Sequence, residues 1–352
     1  MKTFTCECGN QLFFENTQCL SCGRELGFVP DALTLSALEP EDDGMFRALA
    51  TGGRYRKCRN QLEHNVCNWL VPETDSQRLC RSCRLNAVIP NLSDPRNITL
   101  WYRIEQAKRR LLYGVFHLGL PARDKRADPA RGLAFRFMED PANEDEFSND
   151  LAPGQRVLTG HRGGVITINI REAEHSAREE MREKMNENYR TLLGHFRHES
   201  GHYYWSLLLD DQTRLTRFRE LFGDERTNYD AALKAYYANG PVPDWGQHFV
   251  SAYASAHPWE DWAESWAHYL HMVDTIETAE DLGFGCDTQT QTLDWSTFDE
   301  LIDDWGRLTL ALNMLNRSMG LPDAYPFVVA GQAADKIRFI HELVTVAGDG
   351  KP

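Results

Sequence analysis

No run in this 352-residue chain approaches the ~18 consecutive apolar residues that mark a membrane span. A spanning helix is therefore not expected. The N-terminus, Met1-Lys-Thr-Phe-Thr-Cys6, lacks an apolar signal core and runs straight into cysteines. Export is not expected either, and the reading is of a cytoplasmic protein. Positive charge is scarce, with 38 Lys+Arg against 52 Asp+Glu and a formal net charge of −14. That balance speaks against a dedicated DNA binder. No internal repeat is visible beyond two cysteine groups. Proline is absent from Asn188 to Leu209, which leaves that stretch free to form one helix.

Cysteine, by contrast, is plentiful at nine residues. Without a signal peptide the spacing points to zinc in a reducing compartment rather than to disulfides. Cys6, Cys8, Cys19 and Cys22 form C-x-C and C-x2-C knuckles, each presenting two thiolates to one ion. Gln11-Leu-Phe-Phe14 between them suits a small hairpin. Gly9 and Gly23 follow the knuckles, where tight turns need a permissive backbone. The second group is Cys58, Cys67, Cys80 and Cys83, with His64 as a spare ligand. Each set offers four protein ligands, so each is expected to be a closed structural zinc site. Cys286 is left over and reads as a small buried apolar residue.

Between the groups, Val29 to Gly53 holds Pro30, Pro40, the acidic run Glu39-Pro-Glu-Asp-Asp43 and a Gly52-Gly53 pair, which together read as a linker. From Thr51 to Arg126 there are 15 Lys+Arg against 6 Asp+Glu, a local +9, so the remainder carries −23. Such a split marks either a nucleic-acid face or two regions that attract each other. The overall acidity favours the second, and nucleic acid is not an expected partner. Ile98, Trp101, Ile104, Leu111, Leu112 and Val115 predict a helix over Asn97 to Leu118, with Lys108-Arg-Arg110 on its solvated face. Phe135-Arg-Phe-Met138 reads as a strand. Arg156-Val-Leu-Thr159 and Val165-Ile-Thr-Ile-Asn-Ile170 read as a hairpin around the glycine-bearing Gly160 to Gly164. A strand of this kind can pair with extended substrate, or can be an ordinary sheet member. Glu172 to Leu209, Tyr229 to Ala238, Phe298 to Met319 and Gln332 to Val344 read as helices.

The chemistry concentrates in His198-Glu-Ser-Gly-His202, an H-E-x-x-H motif. On a helix, residues four apart share a face, so both imidazoles can reach one ion. Glu199, one step round, can deprotonate a water at that ion. A catalytic zinc takes three protein ligands and keeps one position open. Glu260, Glu264, His257, His268 and His271 are the candidates for the third. Pro258 suits the first turn of a new helix, on which Glu260 and Glu264 lie four apart.

Glu260-Asp-Trp-Ala-Glu264 after H-E-x-x-H resembles the arrangement of gluzincin peptidases, in particular anthrax lethal factor and the Mlc titration factor peptidases. The resemblance implies Glu260 as third zinc ligand and Glu264 as the support of a zinc-binding histidine. It also implies a tyrosine seven residues before the ligand carboxylate, here Tyr253, as an aid to catalysis. The chain further resembles a bacterial family of zinc-binding metallopeptidases with an N-terminal zinc ribbon. The resemblance rests on the Cys6 to Cys22 ribbon, Cys67-Asn-Trp-Leu-Val-Pro72, Leu79-Cys-Arg-Ser-Cys-Arg-Leu85, Leu158-Thr-Gly-His161, Ile166-Thr-Ile-Asn-Ile170, His195 to Trp205 and Pro258 to Glu264.

The expected fold is α+β, a mainly helical zincin-like metallopeptidase domain with a small sheet, preceded by two small zinc-ribbon modules. The expected boundaries are a ribbon at 1–28, a linker at 29–53, a second four-cysteine module at 54–95 and the metallopeptidase domain at 96–352. One catalytic and two structural zinc ions follow, with a peptide or protein as substrate and the ribbons available to a protein partner. Two other classes remain open. One is a binding module for protein or nucleic acid with an idle zincin site, and the other is a zinc amidase acting on a non-peptide substrate.

Overall fold

The computed structural model describes residues 2–140, 157–174, 191–284, 297–329 and 331–349. They fall into two compact units, one of Lys2–His117 with Pro121–Phe196, the other of Leu118–Leu120 with Arg197–Pro352. Cys286 and most of the acidic stretch from Glu139 to Asp150 lie outside the described residues.

The first unit opens with β1 (Phe4–Thr5) and β2 (Gln11–Leu12), paired antiparallel as the ribbon hairpin. Gly9 and Gly23 take left-handed φ angles of 85° and 72°, and their amides close turns back onto the Cys6 and Cys19 carbonyls. Next comes a five-stranded antiparallel sheet in sequence order: β3 (Leu26–Val29), β4 (Thr34–Pro40), β5 (Phe46–Ala48), β6 (Arg54–Lys57) and β7 (Leu70–Pro72). The expected linker at 29–53 is thus corrected, because it carries the paired strands β4 and β5 and the end of β3. Its prolines, acids and glycines mark hairpin turns, while Leu35, Ala37 and Leu38 between them are buried. Val29, Leu38, Ala48 and Leu70 form the core of this sheet, with Phe46 and Tyr55 packed against it. A Cβ on Gly27 would lie 2.5 Å from the Leu70 side chain, so only glycine admits this packing.

The same unit carries α1 (Arg59–His64), β8 (Asn86–Val88) and the 22-residue α2 (Arg96–His117). The Lys108-Arg-Arg110 run was expected on the solvated face of α2, but Lys108 is fully buried and Arg109 nearly so. Lys108 pairs with Glu105 at 2.9 Å and reaches Asn86. Arg109 donates to the Val66 carbonyl at 2.6 Å. These charges can be buried because their partners are buried beside them. A second sheet runs in the order β10 (Gly160–Arg162), β11 (Val165–Asn169), β9 (Ala134–Met138), β8. Only β10 is antiparallel to its neighbour. The hairpin is real, but among the described residues its outer strand is Gly160–Arg162, Val157 to Thr159 are not strand, and Arg156 lies outside the described residues. Gly163 and Gly164, both at positive φ, form the tip.

α3 (Leu192–Leu208) leads into the second unit. The helix expected from Glu172 is described only from Leu192 on, since 175–190 lie outside the described residues. α4 (Gln212–Phe222), α5 (Tyr229–Asn239), α6 (Trp245–His248), α7 (Pro258–Asp281), α8 (Phe298–Ser318) and α9 (Gly331–Asp349) follow. Trp262, Trp266, Tyr269, Phe218, Ile337 and Ile340 form the buried centre of this unit. Asp261 in the first turn of α7 is also buried, paired with Lys336 of α9 at 2.6 Å. Burial pushes its carboxyl up to about 7 even with that lysine beside it. The architecture is mixed helix and sheet, as the sequence indicates. No helix among the described residues is long and apolar enough to cross a membrane.

Candidate metal centre

The two spacer residues of His198-Glu-Ser-Gly-His202 bring α3 and α7 together. A Cβ at Gly201 would lie 2.9 Å from the Ala263 Cα, so the two backbones approach where only glycine fits. The Trp262 indole donates to the Gly201 carbonyl at 2.9 Å, and the Trp266 indole donates to Ser200 Oγ at 3.0 Å. Ser200 Oγ in turn donates to the Arg197 carbonyl. Ser200 and Gly201 received no role from the sequence. Small residues facing a Trp262 and Trp266 pair one turn apart were the available signal.

This crossing places the first turn of α7 against the histidine face of α3. One ligand atom each from His198, His202 and Glu260 lies within 4.8 Å of the others. Glu260 Oε2 is 3.0 Å from His198 Nε2, and Oε1 is 3.5 Å from His202 Nε2. Glu264 is not in this set. Its Oε1 lies 2.7 Å from His198 Nδ1, and its Oε2 accepts from Ser251 Oγ at 2.6 Å. A carboxylate on Nδ1 directs the other imidazole nitrogen, Nε2, toward an ion. Burial works against a charge on His198, but Glu260 and Glu264 outweigh it and hold its pKa well above the usual value. Burial likewise opposes ionisation of Glu260, yet His202 and His198 bring its carboxyl down to about 2. Two imidazoles and one ionised carboxylate, nearly buried together, are a donor set that suits zinc.

Glu199 is 8% exposed and lies one step round α3 from the ligand face. The Tyr253 ring sits 6.0 Å from the His198 ring, at the start of a 3-10 turn (Tyr253–Ala256). Burial first, then Glu260, pushes its phenol far up, so it stays protonated. Among the described residues its hydroxyl has no hydrogen-bond partner. A second phenol, Tyr229, donates to Glu260 Oε1 at 2.6 Å. No motif in the sequence marks Tyr229. Nothing in its spacing links it to Glu260, 31 positions later.

The other third-ligand candidates have different partners. His257 caps the N-terminus of α7, its Nδ1 accepting from the Trp259 amide at 3.0 Å. His268 Nδ1 lies 2.5 Å from the Tyr325 hydroxyl. His271 packs edge-on against Trp305 and Tyr325.

Both cysteine groups assemble. Cys6, Cys8, Cys19 and Cys22 converge, as do Cys58, Cys67, Cys80 and Cys83. The sulfurs of Cys8 and Cys19 are 3.6 Å apart, as are those of Cys67 and Cys80. That is far beyond the roughly 2.05 Å of a disulfide and suits thiolates sharing one ion. The Cys80 and Cys83 amides point at the Cys58 and Cys80 sulfurs. His64 is not part of the second cluster, and its ring packs on Trp101 instead. Around this region the excess positive charge is met by carboxylates of the same unit. Arg54 pairs with Glu41 and Glu73, Lys57 with Glu25, Arg81 with Asp31, and Arg110 with Glu15.

Two clusters of four thiols and one centre of two imidazoles and a carboxylate, on a framework of helices and small sheets, define a zinc-binding protein. Residues 97–343 match the family described as "Putative zinc-binding metallo-peptidase", and residues 3–94 match a zinc-ribbon domain. The chain belongs to this metallopeptidase family, and its N-terminal part is the zinc ribbon that the motifs implied. Uncharacterized proteins of Mycobacterium tuberculosis and Mycobacterium bovis are each 42% identical over 358 residues, spanning 100% of this chain and 98% of theirs. No solved structure matches the chain.

Proposed function

We propose that this protein hydrolyses peptide bonds at a zinc ion held by His198, His202 and Glu260, with Glu199 as general base. The observation that carries the reading is the convergence of those three donor atoms within 4.8 Å, with Glu199 on the same turn of α3. Held there, zinc supplies a Lewis acid and lowers the pKa of water towards neutrality. Glu199, nearly buried, takes the proton from the attacking water and delivers it to the leaving amine. Tyr253, with its hydroxyl unengaged, donates to the oxygen on which negative charge develops. Glu264 and Ser251 hold the His198 ring in register. The two cysteine clusters take structural zinc, since four protein ligands leave no position for substrate.

Glu199→Gln keeps the size of the side chain and removes the base. It is expected to retain full zinc and to lose peptide hydrolysis by ~10²–10⁴-fold. Glu260→Gln is expected to lose the ion itself. Glu264→Gln is expected to weaken its binding by only ~10–100-fold. Zinc content by elemental analysis and turnover on a peptide library check all three. An active Glu199→Gln enzyme sinks the mechanism, and a filled site in Glu260→Gln with an empty one in Glu264→Gln reverses the ligand assignment.

A further inference from the structure

We propose that Tyr229 is a positioning residue that fixes the rotation of the Glu260 carboxylate against the two imidazoles, a role that rests on the zinc site described above. Glu260 is 1% exposed, so water cannot satisfy both of its oxygens. A buried carboxylate needs a protein donor for each oxygen that does not face an ion. Oε2 faces His198 Nε2 at 3.0 Å. Oε1 accepts from the Tyr229 hydroxyl at 2.6 Å, a length typical of charge-assisted O–H···O bonds. Oε1 also lies 3.5 Å from His202 Nε2, so the phenol holds the carboxylate plane across the two imidazoles, with Oε2 turned to His198.

The surroundings of Tyr229 are built to hold it there. It is the first residue of α5, whose N-cap Asn228 accepts from the Ala231 amide. The preceding turn is tied by Arg219 to Glu225, with contacts of 2.9 and 2.5 Å. Thr227 is then anchored to His257, whose Nε2 lies 3.0 Å from Thr227 Oγ1 and 3.2 Å from its carbonyl. The other nitrogen of His257 caps α7 three residues before Glu260. One imidazole thus ties the helix that carries the ligand to the turn that delivers its hydrogen-bond donor. The Tyr229 ring packs edge-on against His257 at 5.2 Å and Trp259 at 6.0 Å. Those contacts survive loss of the hydroxyl alone.

The two phenols near the site therefore divide the work. Tyr253 keeps its hydroxyl available, and Tyr229 spends its own on the ligand. The test uses the full chain and zinc or cobalt(II) as the probe. Zinc affinity is measured by competition with a chromophoric chelator, and the cobalt(II) ligand-field spectrum reports the coordination geometry. Tyr229→Phe is expected to weaken zinc at this site by ~10–100-fold, the usual size of such a loss, and to shift the cobalt spectrum. Tyr253→Phe is expected to change neither. Wild-type affinity and an unchanged spectrum in Tyr229→Phe overturn the proposal while leaving the zinc site intact. A wild-type chain that takes up no metal beyond its cysteine clusters overturns the zinc site, and this role with it. Should Tyr229→Phe unfold, Thr227→Val with His257→Asn loosens the same turn, and unchanged zinc affinity there is equally damaging.

Discussion

His268 lies one turn beyond Glu264 on α7, yet it is bound to a tyrosine and surrounded by Tyr325 and Phe327. Burial lowers its pKa to about 4, with Glu264 opposing the shift and Arg197 adding to it. A histidine held neutral in the fold but free to protonate when unfolded makes stability depend on acid. The unfolded chain binds the extra proton first. Stability is therefore full above the ordinary value of 6.5 and is lost as pH falls from there towards about 4. The loss attributable to His268 is on the order of 3 kcal/mol when complete. His161, also brought to about 4 by burial and Lys125, and His341 act in the same direction. Urea unfolding from pH 7 down to pH 5 should show a falling midpoint, with a shallower fall in His268→Gln. An identical slope in the variant removes His268 as the cause. At this scale the sequence was informative only where function imposes a spacing. His198, Glu199 and His202 could be named from helical periodicity, whereas Glu260 and Glu264 were singled out from five candidates by the gluzincin resemblance. Tyr229 and Ser251 could not, because their contacts to Glu260 and Glu264 depend on how separate segments pack.

Among the elements, α2 tests how far periodicity can be trusted. Ile98, part of the apolar pattern, is 37% exposed, while Lys108 is 0% exposed. The pattern located the helix to within a residue at each end and misjudged its far side. Whether a lysine can be buried depends on what a neighbouring strand offers, and here β8 supplies Asn86. Breaking such a pair leaves an uncompensated charge, whereas removing both members does not. Glu105→Leu alone strands the Lys108 ammonium and is expected to cost about 3–5 kcal/mol. Glu105→Leu with Lys108→Met should recover most of that loss. Denaturant unfolding of the wild type, both single variants and the double variant measures it. A double variant no more stable than the worse single one contradicts the pairing argument. The residues from 29 to 53 teach a related lesson. Proline, acids and paired glycines looked like an open linker, because the signals for a hairpin turn and for a flexible segment share the same residue types. The five-residue run Thr34-Leu-Ser-Ala-Leu38 was too short to separate the two.

For the whole molecule, the three proposed metal sites differ in closure, and closure sets the order in which they should empty. The proposed His198, His202 and Glu260 centre offers an ion three protein donors, so a chelator should be able to enter at the fourth position. The Cys6 cluster is closed by four sulfurs, but Cys8 and Cys22 are exposed. In the Cys58 cluster all four cysteines are buried, and backbone amides back the sulfurs. Three zinc ions per chain are therefore expected. Release to a chelator should run in three phases: the histidine centre, then the Cys6 cluster, then the Cys58 cluster. The consequences for folding should run the opposite way. Binding at a four-thiolate site is folding free energy, on the order of 10 kcal/mol per ion in apparent terms, and α1 beside the Cys58 cluster buries none of its own residues. The first phase should abolish hydrolysis and leave the melting temperature nearly unchanged. The last should unfold the first unit cooperatively. A zinc-sensitive dye, thiol titration and circular dichroism, followed on one sample, separate the phases. Thiols that become reactive before any hydrolysis is lost, or a single release phase for all the zinc, contradict this order. One ion or fewer in protein never exposed to chelator removes the three-site description altogether.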